Sequence, residues 1–218
     1  MGMGIKVRER IAKRAAQEIK DGMVVNLGIG MPTLVANYIP DNMQIMFHAE
    51  NGILGTGPAP VKGEEDKNLC NAGGIPTTVV SGASYFDSTI AFNIIRRGLL
   101  DVTILGAFEV SQFGDLANWI VPEKIVSGMG GAIELAQKAK KVIVIMNHTD
   151  KKGNSKIVKE CSLPLTAKRC VDIIITDMAV IEVSENGLHV IEIMDPFTIE
   201  EVVQATEAPL LISEAVQR

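Results

Sequence analysis

The sequence predicts an α/β fold: an open, mostly parallel sheet with helices on both faces and an antiparallel hairpin near the C-terminus. Short unbroken apolar runs alternate with amphipathic stretches, as buried parallel strands and their covering helices do. Glycine-rich turns follow several of those runs directly, and sixteen of the twenty glycines fall between Gly22 and Gly131. A Glu185-Asn186-Gly187 turn between two alternating segments supplies the hairpin.

Val7, Ile11, Ala15 and Ile19 recur every four residues and predict a helix ending near Asp21-Gly22. Residues 24–27 form a short buried strand that runs into Gly28-Ile29-Gly30, and Pro32 suits the first position of the next helix. Strands are expected at 44–48 and 77–80, and Asp87 caps a helix that stops at Gly98. Further strands at 102–105, 142–146 and 173–176 accompany a helix over 132–139, which the glycine loop at 128–131 precedes. Residues 180–184 and 188–193 flank the hairpin turn, and Thr198 with Glu201 makes a capping box for a last helix. There is no repeat, low-complexity tract or linker, so 218 residues read as one domain spanning 1–218, against about 150 residues per domain on average.

Composition narrows the function. With 21 Lys and Arg against 26 Asp and Glu, the net charge of −5 offers no broad basic face for nucleic acid. Cys70, Cys161 and Cys170 are odd in number, widely spaced and away from the three histidines, so no structural metal site is expected and a reduced cytoplasm is. The longest uncharged apolar-looking stretch, 22–40, carries Asn26, Pro32, Asn37 and Pro40 and is a poor membrane span. No apolar segment follows the basic residues 6–14 in the manner of a secretory signal.

Glu-Asn-Gly occurs twice. At 185–187 it reads as an exposed turn. Glu50-Asn51-Gly52 also follows a strand, but residues 53–60 look like no returning strand and carry no charge. A carboxylate at a strand's C-terminal end, beside a loop that would strip water from it, suits a functional acid as well as it suits a solvated one.

Four runs decide between them: Asn26-Leu27-Gly28-Ile29-Gly30-Met31-Pro32-Thr33, Glu50-Asn51-Gly52-Ile53-Leu54-Gly55-Thr56-Gly57-Pro58, Gly114-Asp115-Leu116-Ala117-Asn118-Trp119 and Gly128-Met129-Gly130-Gly131-Ala132. In this order they resemble the β subunit of the family I coenzyme A transferases, of the 3-oxoacid and acetate–acetoacetate types. Asn71-Ala72-Gly73, Gly82-Ala83-Ser84 and Cys161-Ser162-Leu163-Pro164-Leu165-Thr166 extend the likeness over almost the whole chain.

The resemblance implies half an enzyme, completed by an α subunit in a hetero-oligomer, with acyl-CoA and a small carboxylic acid as substrates and no resident cofactor or metal. Glu50 matches the family's nucleophile, which carries CoA as a glutamyl thioester, and Gly131 matches a backbone donor to the oxyanion. Gly28, Gly30, Asn51, Gly52, Gly128 and Gly130 are the expected CoA-binding residues. Two departures, Ala49 where Ser is common and Ala59 in place of the Tyr of a Gly-Pro-Tyr-Pro run, could reshape the acid pocket. His48 beside them could meet an unusual substrate but reads more simply as a hydrogen-bonded structural residue. Lys151, Lys152 and Lys156 could meet CoA phosphates but read more simply as a solvated charge run.

Two other classes compete. Gly28-Ile29-Gly30 before a helix, with Glu50 twenty residues on, imitates a dinucleotide-binding oxidoreductase, but the third glycine of that fingerprint falls on Thr33, and on Ile133 in the second glycine loop. A non-catalytic ligand-sensing protein of the same fold is the other, since fold does not fix function.

Overall fold

A computed structural model describes residues 4–122, 129–213 and 216. The chain runs α1 (Ile5–Ala16), β1 (Val24–Leu27), a 3-10 helix (Met31–Tyr38), β2 (Met46–Ala49), β3 (Ile53–Thr56), β4 (Val79–Tyr85), α2 (Ser88–Arg96) and β5 (Val102–Gly106). There follow β6 (Glu109–Ser111), β7 (Leu116–Ala117), α3 (Ala132–Lys138), β8 (Val142–Ile145), β9 (Ile157–Val158) and β10 (Ile173–Ile175). β11 (Ala179–Ser184), β12 (Gly187–Ile193), α4 (Ile199–Ala205) and β13 (Leu210–Ile212) complete it.

Ten strands form one sheet in the order β13-β12-β11-β10-β8-β5-β1-β2-β3-β4. Its centre, β10-β8-β5-β1-β2, is parallel throughout. The alternation of side chains then explains why these strands read as unbroken apolar runs. Ile143, Ile145, Ile173 and Ile175 bury themselves under α1 and the 3-10 helix. Val142, Val144 and Ile174 point to the opposite face, into a core that Ile95 of α2, Leu135 of α3 and Val202 of α4 complete. Helices therefore cover both faces, as expected.

The caps behave as predicted. Asp87 Oδ1 accepts from the Ile90 N–H, and Gly98 takes the left-handed conformation past the end of α2 (φ +66°). Thr198 and Glu201 satisfy each other's backbone N–H groups at the start of α4. At the C-terminal hairpin, Val183 pairs with Leu188 and Ser184 with Gly187.

Several expectations need correction. The first helix stops at Ala16 rather than near Asp21-Gly22, because the chain tightens into i→i−3 bonds from Gln17, Glu18 and Ile19. Pro32 is the second residue of its helix, which is 3-10 throughout. Residues 53–56 do return as a strand: β3 pairs antiparallel with β2, His48 opposite Leu54, and β4 continues the meander. Glu50-Asn51-Gly52 is thus a hairpin turn like its counterpart at 185–187, and the sheet has antiparallel strands on both flanks. A separate three-stranded sheet, β7-β6-β9, brings the Gly114–Trp119 region against residues 157–167.

Candidate active site

The site begins with a polar row inside the parallel sheet. His48 of β2, Asn26 of β1 and Thr103 of β5 lie side by side in register, all three buried. A buried amide must spend its hydrogen bonds on protein groups. Thr103 Oγ1 donates to Asn26 Oδ1 (3.1 Å), and Asn26 Nδ2 donates to His48 O (3.1 Å) and to Glu50 Oε2 (3.0 Å). The carboxylate of Glu50, one residue beyond the end of β2, is thereby tied to the middle of the sheet.

The turn that carries Glu50 is fixed from below. Gly52 adopts φ +119°, its N–H bonds Ala49 O and its carbonyl accepts from the Phe86 N–H. A Cβ at this position would lie 2.0 Å from Phe86 O, so only glycine fits. Asn51 turns the other way and donates to Cys70 O (2.8 Å).

Glu50 opens into a cavity of about 510 Å³ whose lining includes Gly28, Gly130, Gly131, Asn118, Trp119 and Lys156. Two residues 81 positions apart in sequence, Glu50 and Gly131, therefore face one space. Gly131 caps α3 and packs so closely on Phe92 that an added Cβ would lie 3.2 Å from the ring. Gly28 lies against β5, its N–H bonded to Ile104 O (2.8 Å).

Not every expected residue is there. Gly30, Asn51 and Gly52 do not line the cavity: the last two hold the turn, and Gly30 precedes the 3-10 helix at φ +91°. Gly128 lies outside the described residues. Ala49, Ala59 and His48 border a second cavity of about 310 Å³, which shares Ile29 with the first. His48 is 3% exposed, hydrogen-bonds through Nε2 to Ala91 O (3.2 Å), and is held below the usual histidine pKa by burial.

Three of the lining residues outside the set that the sequence assigns to the site carry polar groups with defined partners. Asn118 donates to Gly106 O (3.1 Å) and accepts from Thr166 Oγ1 (2.6 Å), and Trp119 Nε1 donates to Leu165 O (3.3 Å). Their signal is the Gly114–Trp119 run, which together with residues 161–166 forms one wall. Lys156 is the third. Its Nζ donates to Ala107 O (2.7 Å), and burial pushes its pKa down to about 8, against the upward pull of Asp177, Asp150 and Glu109. It is therefore not part of a solvated run, unlike exposed Lys151 and Lys152. Among the described residues, no cluster of three His, Cys, Asp or Glu side chains could hold a metal ion, and no helix is long and apolar enough to cross a membrane.

A carboxylate at a strand end, a backbone N–H at a helix start and a largely apolar cavity between them suit acyl transfer to a carboxylate. The family model described as coenzyme A transferase matches residues 8–205. The chain belongs to that family. It is 60% identical over 212 residues to a Bacillus subtilis (strain 168) protein named "Probable coenzyme A transferase subunit beta", covering 97% of this chain and 98% of that one. It is 54% identical over 202 residues to a subunit of the Helicobacter pylori succinyl-CoA:3-ketoacid coenzyme A transferase, covering 93% and 97%. Among solved structures, an acyl-CoA transferase apoenzyme of Escherichia coli O157:H7 superposes with a TM-score of 0.76 at 23% identity, over 99% of this chain and 44% of that one. That likeness speaks for the fold alone. A coenzyme A transferase chain has no need of a dinucleotide fingerprint, and the broken glycine pattern at Thr33 and Ile133 is then expected.

Proposed function

We propose that residues 1–218 act as one domain, the β half of a cytoplasmic CoA-transferase that moves CoA between an acyl-CoA and a carboxylic acid through a thioester on Glu50. The observation that carries this reading is the shared cavity of Glu50 and Gly131, with the glutamate held by Asn26. The family membership, and the naming of its Bacillus subtilis and Helicobacter pylori relatives as single subunits of transferases, support it.

The Glu50 carboxylate attacks the thioester carbonyl of the acyl-CoA, and the tetrahedral oxyanion collapses to a mixed anhydride with release of CoA thiolate. The thiolate then attacks the glutamyl carbonyl, forming the Glu50–CoA thioester and freeing the original acid as its carboxylate. A second carboxylate runs the same steps in reverse and leaves as the new acyl-CoA. Because the thioester bond is conserved in a covalent intermediate, no ATP is required.

A carboxylate is a weak nucleophile, so rate must come from position, exclusion of water and the binding of CoA's remote parts. Asn26 supplies position. The apolar walls formed by Ile29, Met31, Leu105, Phe108 and Met129 limit water. The Gly131 N–H serves each oxyanion, and removing one such donor typically costs about 100- to 1000-fold. Ile29 and Phe108, 66% and 40% exposed at the cavity, form a surface for the α subunit to cover. CoA enters as substrate, with no resident cofactor.

The test uses the chain assembled with its α subunit, exposed to a panel of acyl-CoAs, trapped with hydroxylamine and mapped by mass spectrometry. A hydroxamate on Glu50, absent in Glu50→Gln and retained in Glu185→Gln, is the expected result. An assembled complex that binds CoA but never modifies Glu50 would overturn the reading in favour of a ligand-sensing role.

A further inference from the structure

Among the described residues, one cation lines the cavity that Glu50 shares with Gly131. Of the described residues lining it, Glu50 and Lys156 are the only charged ones; the rest are apolar side chains, glycines, and the amides of Asn118 and Asn147. None of the ion pairs among the described residues includes Lys156, and its Nζ donates only to the Ala107 carbonyl. An ammonium has three N–H donors, so two are left for other partners. The carboxylates that act on Lys156, those of Asp177, Asp150 and Glu109, do so from beyond ion-pair distance, and a half-buried cation so placed favours an anion that can reach it directly.

The proposed reaction supplies that anion. In each half-reaction the negative charge of Glu50 disappears into the thioester and reappears on the released acid: Glu–COO⁻ plus R–CO–S–CoA gives Glu–CO–S–CoA plus R–COO⁻. The net charge is unchanged, but the cavity loses its fixed anion when it must hold a free one. We propose that Lys156 is the counter-ion of the acid substrate's carboxylate, holding it as it leaves after the first half-reaction and as it enters for the second. This inference rests on the Glu50 thioester reading above and adds to it the group that selects a carboxylate acceptor. Once CoA occupies Glu50, the cavity keeps the Lys156 ammonium but loses its own carboxylate, which favours an anionic acceptor over water. The lowered proton affinity of Lys156 fits a cation waiting in a partly dry site, with Asp177, Asp150 and Glu109 the carboxylates that keep it protonated near neutrality.

The experiment is steady-state transfer by the assembled complex with acetoacetyl-CoA as donor, which has no free carboxylate on its acyl group, and acetate or succinate as acceptor. Lys156→Gln retains a donor for Ala107 O and removes the charge. Its KM for the acid is expected to rise roughly 10- to 100-fold, the usual worth of a charge-assisted hydrogen bond. The KM for acetoacetyl-CoA should stay within about threefold, and inhibition by the product acetoacetate should weaken in step with the rise in the acid's KM. An unchanged KM for the acid overturns the proposal, and so does a rise confined to the KM for acetoacetyl-CoA, which would assign the cation to a CoA phosphate. Should Lys156→Gln fail to assemble, the wild-type pH profile decides. The kcat/KM for the acid should fall above about pH 8 while the KM for acetoacetyl-CoA does not change, and a profile for the acid that stays flat to pH 9 overturns the proposal. Absence of any Glu50 adduct in the wild type would instead sink the underlying thioester reading, so the two failures are distinguishable.

Discussion

Asn26 Nδ2 stands 3.0 Å from Glu50 Oε2, and the same amide receives the Thr103 hydroxyl on its oxygen at 3.1 Å. Three adjacent parallel strands thus converge on one carboxylate. Parallel pairing alone sets the geometry: Asn26 is in register with His48 on one side and Thr103 on the other, and Glu50 follows His48 by two residues, on the same face. A glutamate at a hairpin turn would ordinarily swing freely. Here one buried amide, itself oriented by a buried hydroxyl, limits it to a narrow range of positions.

Replacing Asn26 by Ala is therefore expected to slow Glu50–CoA formation at least about tenfold, through loss of position, without abolishing it. Thr103 would lose its acceptor in a fully buried site, for a stability cost of about 1–3 kcal/mol. Thr103→Val, which removes only the outer link, should slow the reaction less. Hydroxylamine trapping over time and urea midpoints measure both effects; an Asn26→Ala complex with the wild-type trapping rate contradicts the positioning role.

Two glycines of positive φ, Gly52 in the turn and Gly82 in β4, offer a sharper contrast. Gly52→Ala places a methyl 2.0 Å from the Phe86 carbonyl at φ +119° and should destabilise by more than about 3 kcal/mol, or prevent folding. Gly82→Ala also carries a positive φ, +85°, but its Cβ meets nothing within 4 Å, and its cost should be close to about 1 kcal/mol. Chemical denaturation of the two variants side by side checks the ranking, which equal costs would contradict.

How much of this is legible in the sequence depends on how far apart the partners lie. The central strands are short apolar runs, two-sided because helices cover both faces, and runs such as Val142–Ile145 announce that locally. Asp87, Thr198 and Glu201 cap their helices through bonds three residues long, equally local. β3 is hard to see because Ile53-Leu54-Gly55-Thr56 is brief and contains a glycine at φ +97°, with a register shift against β4. The strands of the small sheet are two or three residues long and pair across distant segments, Val110 with Ile157. The family motifs point to Glu50 and Gly131, whereas the Asn26 bond and the inward turn of Lys156 depend on strand order and folding depth, which no local pattern encodes.

The wall built from residues 114–119 and 161–170 predicts unreactive thiols. Cys161 Sγ lies 3.7 Å from Asp115 O and Cys170 Sγ 3.8 Å from Gly114 O, and burial together with nearby Asp115 pushes both thiols up to about 12. The thiolate is the nucleophile, so at pH 8 the native protein should alkylate with iodoacetamide at these positions at least about tenfold more slowly than the urea-unfolded chain. Peptide mapping after a timed pulse reads each site separately. Native labelling at the unfolded rate would show that this wall opens readily.

Acid stability should follow His148, which is fully buried between two threonines. Thr206 Oγ1 donates to Val202 O (2.6 Å), so it accepts from His148 Nε2–H (2.8 Å), and Nδ1 is left to accept from the Thr176 hydroxyl (2.9 Å). That arrangement suits the neutral ring. Burial lowers its pKa to about 4, with Asp177 pulling weakly the other way. Because the folded value lies below the unfolded one of about 6.5, the stabilisation is complete above pH 6.5 and is lost as pH falls toward 4, on the order of 3 kcal/mol in all. About 2 kcal/mol of that loss should fall between pH 7 and 5, before Glu18 and Asp101, both held below ordinary carboxylate values, take up protons. His48, lowered by burial too, adds to the same limb. His148→Gln should be less stable than wild type at pH 8 yet show a flatter decline from pH 7 to 5 in urea titrations. An identical slope in both proteins would mean that His148 is not what the acid attacks.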